Sequence, residues 1–311
     1  MKAIVLGLGV QGHKRRRVAG DDYVACVDPV NEEADYKRIQ DVPLDSYDAA
    51  LACIPDDPKI ETLTYLLSHG KHVLVEKPLW AGTNSELEAL QTLARENNAV
   101  CYTAYNHRFE PHYVAMRDLI QSGELGKVYR CRMFYGNGTA RLVRNSAWRD
   151  QGAGVWPDLG SHLLDTLSYW FGPQAIEGMD LISANTFENT APDHVVVGSE
   201  SGGVKTELEM TLLMWRNHFT CDVLAENGTA HISSLCKWGP SSFTKRLRVL
   251  PSGRPPEQTV TLVQDDPTWE AEYAHFKSMV TNGERADLSN DMRLNEIVQR
   301  IGAKAVSAAG S

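Results

Sequence analysis

The first thirty residues constrain the fold more than any other stretch of the chain. A short apolar run, Ala3–Leu6, leads into Gly7-Leu-Gly9-Val10-Gln11-Gly12, and a second run, Tyr23–Val27, ends in Asp28. Glycines at this spacing permit a tight turn, close approach of backbone to a pyrophosphate, and helix–strand packing, and an acidic residue about 20 positions later can bond a ribose. The pattern predicts a parallel α/β unit that binds a dinucleotide; the alternative is a glycine-rich turn without a ligand.

The basic run Lys14-Arg15-Arg16-Arg17 bears on which dinucleotide is bound. Arginines near a helix N-terminus oppose the helix dipole, so they indicate either contact with phosphate, including the 2′-phosphate of NADP, or a solvated helix face. Asp28 would repel a 2′-phosphate. We therefore expect NAD, with NADP as the alternative.

A third apolar run, His72–Val75, stops where a charged pair appears, Glu76-Lys77, followed by Pro78. Continuous apolar runs are typical of buried parallel strands. Because ligands of open α/β sheets bind just past the carboxyl ends of the strands, we expect Glu76 and Lys77 to face a cofactor or substrate.

Length, charge and cysteines exclude several classes of protein. The 311 residues suffice for two domains. A net charge of −9 disfavours nucleic-acid and anionic-membrane partners, and no apolar run is long enough to span a bilayer. Six scattered cysteines without a C-x-x-C pair favour buried thiols in the cytoplasm, with neither a disulfide framework nor a metal site.

Four further segments carry a resemblance to a known family. Ile54-Pro55, Glu76-Lys77-Pro78, Asn106-His-Arg-Phe109 and the segment from Gly152 to Asp165 resemble motifs of the glucose–fructose oxidoreductase / inositol dehydrogenase / rhizopine-catabolism (Gfo/Idh/MocA) family. The chain departs from the family pattern in two places. Ala153 replaces a glycine, and Asp56 and Lys59 stand where the family often has Asn and His.

The resemblance implies an architecture of two domains. Residues 1–104 would form a Rossmann dinucleotide-binding domain, and residues 105–311 an α/β domain with an open, mainly antiparallel sheet for substrate binding and oligomerisation. The C-terminal helices could pack back on the first domain. Ile54 and Pro55 would lie beside the cofactor, and Asn106 near the nicotinamide ribose.

The resemblance also implies the chemistry. Lys77 and His162 would converge on a substrate hydroxyl, with His162 as proton acceptor, Lys77 positioning the hydroxyl, and Asp158 orienting the imidazole or the sugar. On a helix, Asp158, His162 and Asp165 share one face. The alternative is a capping aspartate with a core histidine. His107, by contrast, is predicted to be a packed surface histidine.

Residues 127–149 contain six basic side chains and no acidic one. Arg130 and Arg132 share a strand face and are expected to be structural. Arg141, Arg144, Trp148 and Arg149 lie in a glycine-flanked loop and are candidates for binding an anionic part of the substrate. The alternative for this loop is a solvated face.

Alternating strands between His194 and Ile232, with a hairpin signal at Asn227-Gly228, predict the antiparallel sheet. Its open face, which we expect to carry Val196, Leu208, Met210, Leu212 or their neighbours, would serve a homodimer or homotetramer.

The function implied by the resemblance is NAD(P)-dependent hydride transfer at a secondary alcohol or ketone of a sugar, cyclitol or nucleotide-linked sugar. Three alternatives stay open: a glycosidase that recycles bound NAD, a non-catalytic regulator that senses dinucleotide, and a reductase for a non-sugar carbonyl. Intact Lys77, Asp158 and His162 argue against the regulator.

Overall fold

The computed structural model describes residues 1–146 and 149–309. Two compact units are found: the first comprises Met1–Asn106 and Pro267–Asn295, and the second comprises His107–Asp266 and the chain from Glu296 onward. Among the described residues, no helix is both long and apolar enough to cross a membrane.

Thirteen strands and eight α-helices are assigned in the described part of the chain. The strands are β1 Ala3–Leu6, β2 Tyr23–Val27, β3 Ala49–Ala52, β4 His72–Glu76, β5 Cys101–Ala104, β6 Val128–Gly136, β7 Asp180–Asn185, β8 His194–Ser199, β9 Lys205–Thr211, β10 His218–Ala225, β11 Gly228–Ser233, β12 Ser241–Leu247 and β13 Glu257–Leu262. The helices are α1 Val10–Ala19, α2 Lys59–Ser68, α3 Asn84–Glu96, α4 Pro111–Gln121, α5 Ala140–Arg144, α6 Ser161–Phe171, α7 Thr268–Asn282 and α8 Ser289–Ala309.

The first unit is built on a parallel sheet with the strand order β2-β1-β3-β4-β5. Four of its strands are almost wholly buried, which accounts for their continuous apolar sequences. Strand β2 lies on one side of β1, and β3, β4 and β5 follow on the other side, so the strand order reverses between β1 and β3. Ligands of such folds bind at the carboxyl ends of the strands beside this point. The predicted Rossmann sheet is confirmed.

Helices cover both faces of this sheet. A capping box, in which Thr83 and Glu86 bond each other's backbone, starts α3 as its sequence predicts. Helix α7 belongs to the same unit: Tyr273 and Phe276 pack in one apolar cluster with Ala3 and Val5 of β1.

The second unit contains an eight-stranded sheet with the order β13-β12-β11-β10-β6-β9-β8-β7. Only β6 and β9 pair in parallel among the pairs described, so the predicted open, mainly antiparallel sheet is confirmed. Strands β10 and β11 form the hairpin predicted from Asn227-Gly228. Strands β7, β12 and β13 were not predicted, because their mixed polar sequences lack strict alternation.

The residues predicted for the open face of this sheet are wrong in three of four cases. Leu208 and Met210 are fully buried within the chain and Leu212 is nearly so, whereas Val196 is half-buried on the opposite face. Since successive residues of a strand point to opposite faces, the open face instead carries Glu207 and Glu209. They pair there with Arg130 and Arg132 at 3.0 Å, which confirms the structural role expected for these arginines.

Candidate functional site

The glycine loop after β1 has the shape that a pyrophosphate needs. A Cβ on Gly7, whose φ is +83°, would lie 2.4 Å from the Cys53 carbonyl oxygen, and one on Gly12 would lie 1.8 Å from that of Gly7. A Cβ on Gly9 would meet nothing within 4 Å, and Val10 is 75% exposed. The loop is thus packed tightly against the sheet on one side and open on the other, at the N-terminus of α1.

Asp28 is fixed beside this loop by three backbone N–H groups. Its Oδ2 accepts from Leu8 at 2.7 Å, and its Oδ1 accepts from Val30 at 2.9 Å and Asn31 at 2.8 Å. Burial favours the neutral acid, but these three bonds outweigh it and lower the pKa of Asp28. The result is an ionised carboxylate with remaining acceptor capacity, which fits the hydroxyls of a ribose.

Arg15 does not lie on a solvated helix face or meet a phosphate, as the sequence suggested for its basic run. It is 1% exposed, with Nε 2.7 Å from Glu76 Oε1 and Nη2 2.7 Å from Glu272 Oε2. Its guanidinium carbon lies 4.4 Å from the centroid of the Trp269 ring. Burial opposes the charge, but the carboxylates of Glu272 and Glu76 dominate and raise the pKa of Arg15. A buried ion triad therefore anchors the carboxyl end of β4.

The segment Glu76-Lys77-Pro78 is held by a second buried cation. Lys59 is 2% exposed, and its Nζ donates to the carbonyl oxygens of Pro78 at 3.0 Å and Glu76 at 3.4 Å. Its ion pair with Asp56, at 2.5 Å, shows what replaces the family's Asn and His at these positions. Lys77, half-buried, thus sits in a segment whose flanking residues are both fixed.

The remaining predicted cofactor residues also follow strands of the first sheet. Ile54 is half-buried and Pro55 exposed, just past the end of β3. Asn106, after β5, is 8% exposed, and its Nδ2 donates to Thr268 Oγ1 at 2.7 Å.

In the second unit, His162 stacks on His107. The ring centroids are 4.0 Å apart with an angle of 19° between the planes, and the residues are 8% and 3% exposed. The prediction that His107 is a surface histidine is wrong, because the turn after Asn106 directs it into the interior. Lys237 Nζ lies 3.2 Å from His107 Nε2.

The aspartates of the His162 segment have different environments. Asp158 is exposed on a π-helical turn, Trp156–Gly160, rather than on the regular α-helix that the i, i+4 spacing implies. Such turns are frequent at functional sites. Asp165 is 1% exposed and forms two bonds with Arg108, at 2.8 and 2.5 Å. Within this segment, Asp165 is the structural carboxylate and Asp158 the accessible one.

Sequence reasoning missed Lys237, because Cys236-Lys237-Trp238 matches no motif. It lines a recess of about 530 Å³ in the second unit, together with Val263, Gln264, Asp265 and Asp266. Desolvation by the surrounding protein lowers the pKa of Lys237, although the carboxylates of Asp266, Glu110 and Asp158 act in the opposite direction. Beside it, the buried Glu110 carboxylate accepts a bond from the Cys236 thiol at 2.9 Å.

The arginines proposed to bind an anion are exposed. Arg141 and Arg144 lie on α5, where a loop was predicted, and Arg149 follows it. Arg141 Nε is 3.9 Å from a carboxylate oxygen of Glu188. Trp148, predicted to contact substrate with them, lies outside the described residues.

The fold and loop geometry define the class: a chain with a dinucleotide-binding Rossmann unit and a second α/β unit with an open sheet. Two domain models agree with this. "Oxidoreductase family, NAD-binding Rossmann fold" matches residues 15–105, and "GFO/IDH/MocA C-terminal domain" matches residues 113–231, which together make up more than half of the chain. The chain belongs to the Gfo/Idh/MocA oxidoreductase family.

Individual relatives are distant. An uncharacterized oxidoreductase of Schizosaccharomyces pombe is 31% identical over 44% of this chain and 37% of its own length. The NADP⁺ scyllo-inositol 2-dehydrogenase of Bacillus subtilis is 26% identical over 68% of this chain and 54% of its own. The chain thus spans about half or less of the length of these relatives. A levoglucosan dehydrogenase solved in complex with NADH shares the fold, with a TM-score of 0.83 and 16% identity over 99% of this chain and 98% of that one.

Proposed function

We propose that this chain is an NAD(P)-dependent dehydrogenase or reductase acting on a secondary alcohol or ketone of a sugar, cyclitol or nucleotide-linked sugar. The observation that carries the proposal is the end of β4. Lys77 follows a buried parallel strand at the ligand-binding edge, and Arg15 and Lys59 fix the residues on either side of it. Two buried cations thus fix one half-buried segment at this edge. The names of the relatives, inositol and levoglucosan dehydrogenases, support the same chemistry.

The cofactor supplies the hydride acceptor or donor when bound. The loop from Gly7 to Gly12 would bind its pyrophosphate, with Asp28 on the adenosine ribose and Asn106 on the nicotinamide ribose. Ile54, Pro55 and Glu76 would line the rest of the dinucleotide-binding site.

NAD is favoured over NADP on two grounds. The ionised Asp28 would repel a 2′-phosphate. Three of the four cations in the basic run have other contacts: Arg15 is buried, Lys14 lies 4.9 Å from the centroid of the Trp269 ring, and Arg16 lies 4.8 Å from that of Tyr23.

The residues of the chain would handle the proton. We assign His162 as the acceptor of the hydroxyl proton, Lys77 as the group that positions this hydroxyl and stabilises charge on its oxygen, and Asp158 as the carboxylate that orients the imidazole or a sugar hydroxyl. Burial of His162 against His107 restricts the orientation of its ring, which a general base requires.

We also propose the charge of the substrate, the oligomeric state of the chain and its location. Arg144, Trp148 and Arg149 would bind an anionic part of the substrate, and the open sheet face would join two or four copies of the chain. Six free cysteines support the reducing cytoplasm as the site of action.

A substrate panel tests the function. Levoglucosan, scyllo-inositol, glucose 6-phosphate and nucleotide-linked sugars are incubated with the protein and either NAD or NADP, and absorbance of the reduced nicotinamide is followed. We expect turnover with at least one compound, and turnover about 10²–10⁴-fold slower for Lys77→Met. Binding of dinucleotide without turnover of any probe would favour the regulator, and glycoside cleavage with catalytic amounts of NAD would favour the glycosidase.

A further inference from the structure

Lys237 interacts with the surroundings of two proposed site residues, His162 and Asp158. Its Nζ is within hydrogen-bonding distance of His107, whose ring stacks on His162, and it lies in the electrostatic field of Asp158. The Lys237 side chain is exposed to solvent and lines the recess described above.

The contact at 3.2 Å determines how protons can be distributed. An ammonium has donors only, so a charged Lys237 requires a neutral His107 that accepts at Nε2 and carries its proton on Nδ1. Two parallel rings 4.0 Å apart cannot both be charged without strong repulsion. A positive charge at Lys237 therefore disfavours a proton on His107 directly, and a proton on the stacked His162 ring by Coulomb repulsion over a longer distance.

We propose that Lys237 is a positioning residue whose charge disfavours a proton on the stacked His107–His162 pair, which keeps His162 neutral and so able to accept a proton. This inference rests on the proposed function for the use of that base, although the electrostatic coupling itself does not.

Other charged groups act on Lys237 or lie close in sequence to the two histidines. Asp158 lies on the π-helical turn, the Asp165–Arg108 ion pair on α6 and the turn after β5, Glu110 at the start of α4, and Asp266 on the chain after β13. Tyr135 of β6 has its ring centroid 6.3 Å from that of His162. The ion pair is internally compensated, and the remaining three carboxylates oppose the lowering of the Lys237 pKa by desolvation.

A histidine titration by ¹⁵N NMR on the full chain tests the coupling without substrate or cofactor. Lys237→Met removes the charge, Lys237→Gln keeps a hydrogen-bond donor without the charge, and Lys237→Arg keeps the charge. Lys205→Met, at an exposed ion pair of β9, is the matched control. His107→Gln and His162→Gln assign the two resonances.

Removal of the charge in Lys237→Met and Lys237→Gln should raise the titration midpoint of the His107–His162 pair by about one pH unit, the low end of the effect of a neighbouring charge. Lys237→Arg and Lys205→Met should leave the midpoint at its wild-type value. Unchanged midpoints in both neutral variants, with the other histidine resonances in place, would overturn the proposal.

Activity gives a second readout. With a substrate from the panel, the acid limb of the kcat/KM profile should move to higher pH in Lys237→Gln, with kcat on the alkaline plateau retained. An unmoved limb contradicts the proposal. If no probe turns over, the proposed function fails while the titration still decides the coupling, so the two failures are distinguishable.

Discussion

Replacing Arg15 by Met tests whether a buried ion triad holds the end of β4. Arg15 and Glu272 are 1% and 0% exposed, and their side chains meet at 2.7 Å. Methionine fills much of the volume but has no charge, so the Glu272 carboxylate loses the guanidinium that faces it. Breaking a buried pair in this way costs about 3–5 kcal/mol, and we expect the free energy of unfolding to fall by that amount.

The loss should depend on pH. Without Arg15, a buried Glu272 carboxylate would have a raised pKa in the folded state, compared with about 4.3 in the unfolded chain. The folded variant then binds protons more tightly than the unfolded one, so its stability decreases as pH rises from the unfolded pKa to the raised folded pKa and is constant above it. The difference from wild type should be larger at pH 8 than at pH 5.

Urea unfolding of the full chain at both pH values measures the effect. Arg17→Met, an exposed neighbour on α1, is the control and should change stability by no more than about 0.5 kcal/mol. Arg15→Met combined with Glu272→Gln should recover part of the loss, since no buried charge remains at Glu272. A loss of less than about 1 kcal/mol, the range of exposed salt bridges, would refute the reasoning.

Three further substitutions test other parts of the site. Asp28→Ser should increase the use of NADP relative to NAD in steady-state kinetics; a wild type that already prefers NADP by about tenfold contradicts the role of Asp28. Arg149→Glu should raise KM for an anionic substrate, most strongly at low ionic strength, and a KM that is unchanged at every salt concentration rules out an anion site there. Lys59→Met should lower the free energy of unfolding by about 2 kcal/mol and reduce kcat, because two carbonyls lose their charged donor; the exposed Lys2→Met should do neither.

The parallel sheet was predictable because its signals are local. Each buried strand is a continuous apolar run, and the glycines and Asp28 mark the β1 loop by spacing alone. The His162 segment was equally recognisable from its residues, but the π-helical turn at Asp158 was not, because it depends on packing around Trp156. A Cβ on Gly160 would lie 2.4 Å from that ring.

What escaped prediction depends on contacts between distant residues. Arg15 looked like one of four solvated cations, and only Glu272, 257 positions later, explains its burial. Lys237 is recognised as part of the site only through its contact with His107, 130 positions earlier. Leu208 and Met210 fit either face of an alternating strand, and the packing of the rest of the second unit against one face decides which side is buried.

The central claim is that His162 takes a proton while Lys77 holds the hydroxyl, and single-turnover hydride transfer tests it most directly. Stopped-flow absorbance of the reduced nicotinamide is recorded for wild type, His162→Ala and Lys77→Ala, with dinucleotide affinity measured separately. Each variant should transfer hydride about 10²–10⁴-fold more slowly, the usual contribution of a positioned acid–base group, and His162→Ala should keep its dinucleotide affinity. Near-wild-type hydride transfer in His162→Ala would contradict the account and leave Lys77 as the candidate base.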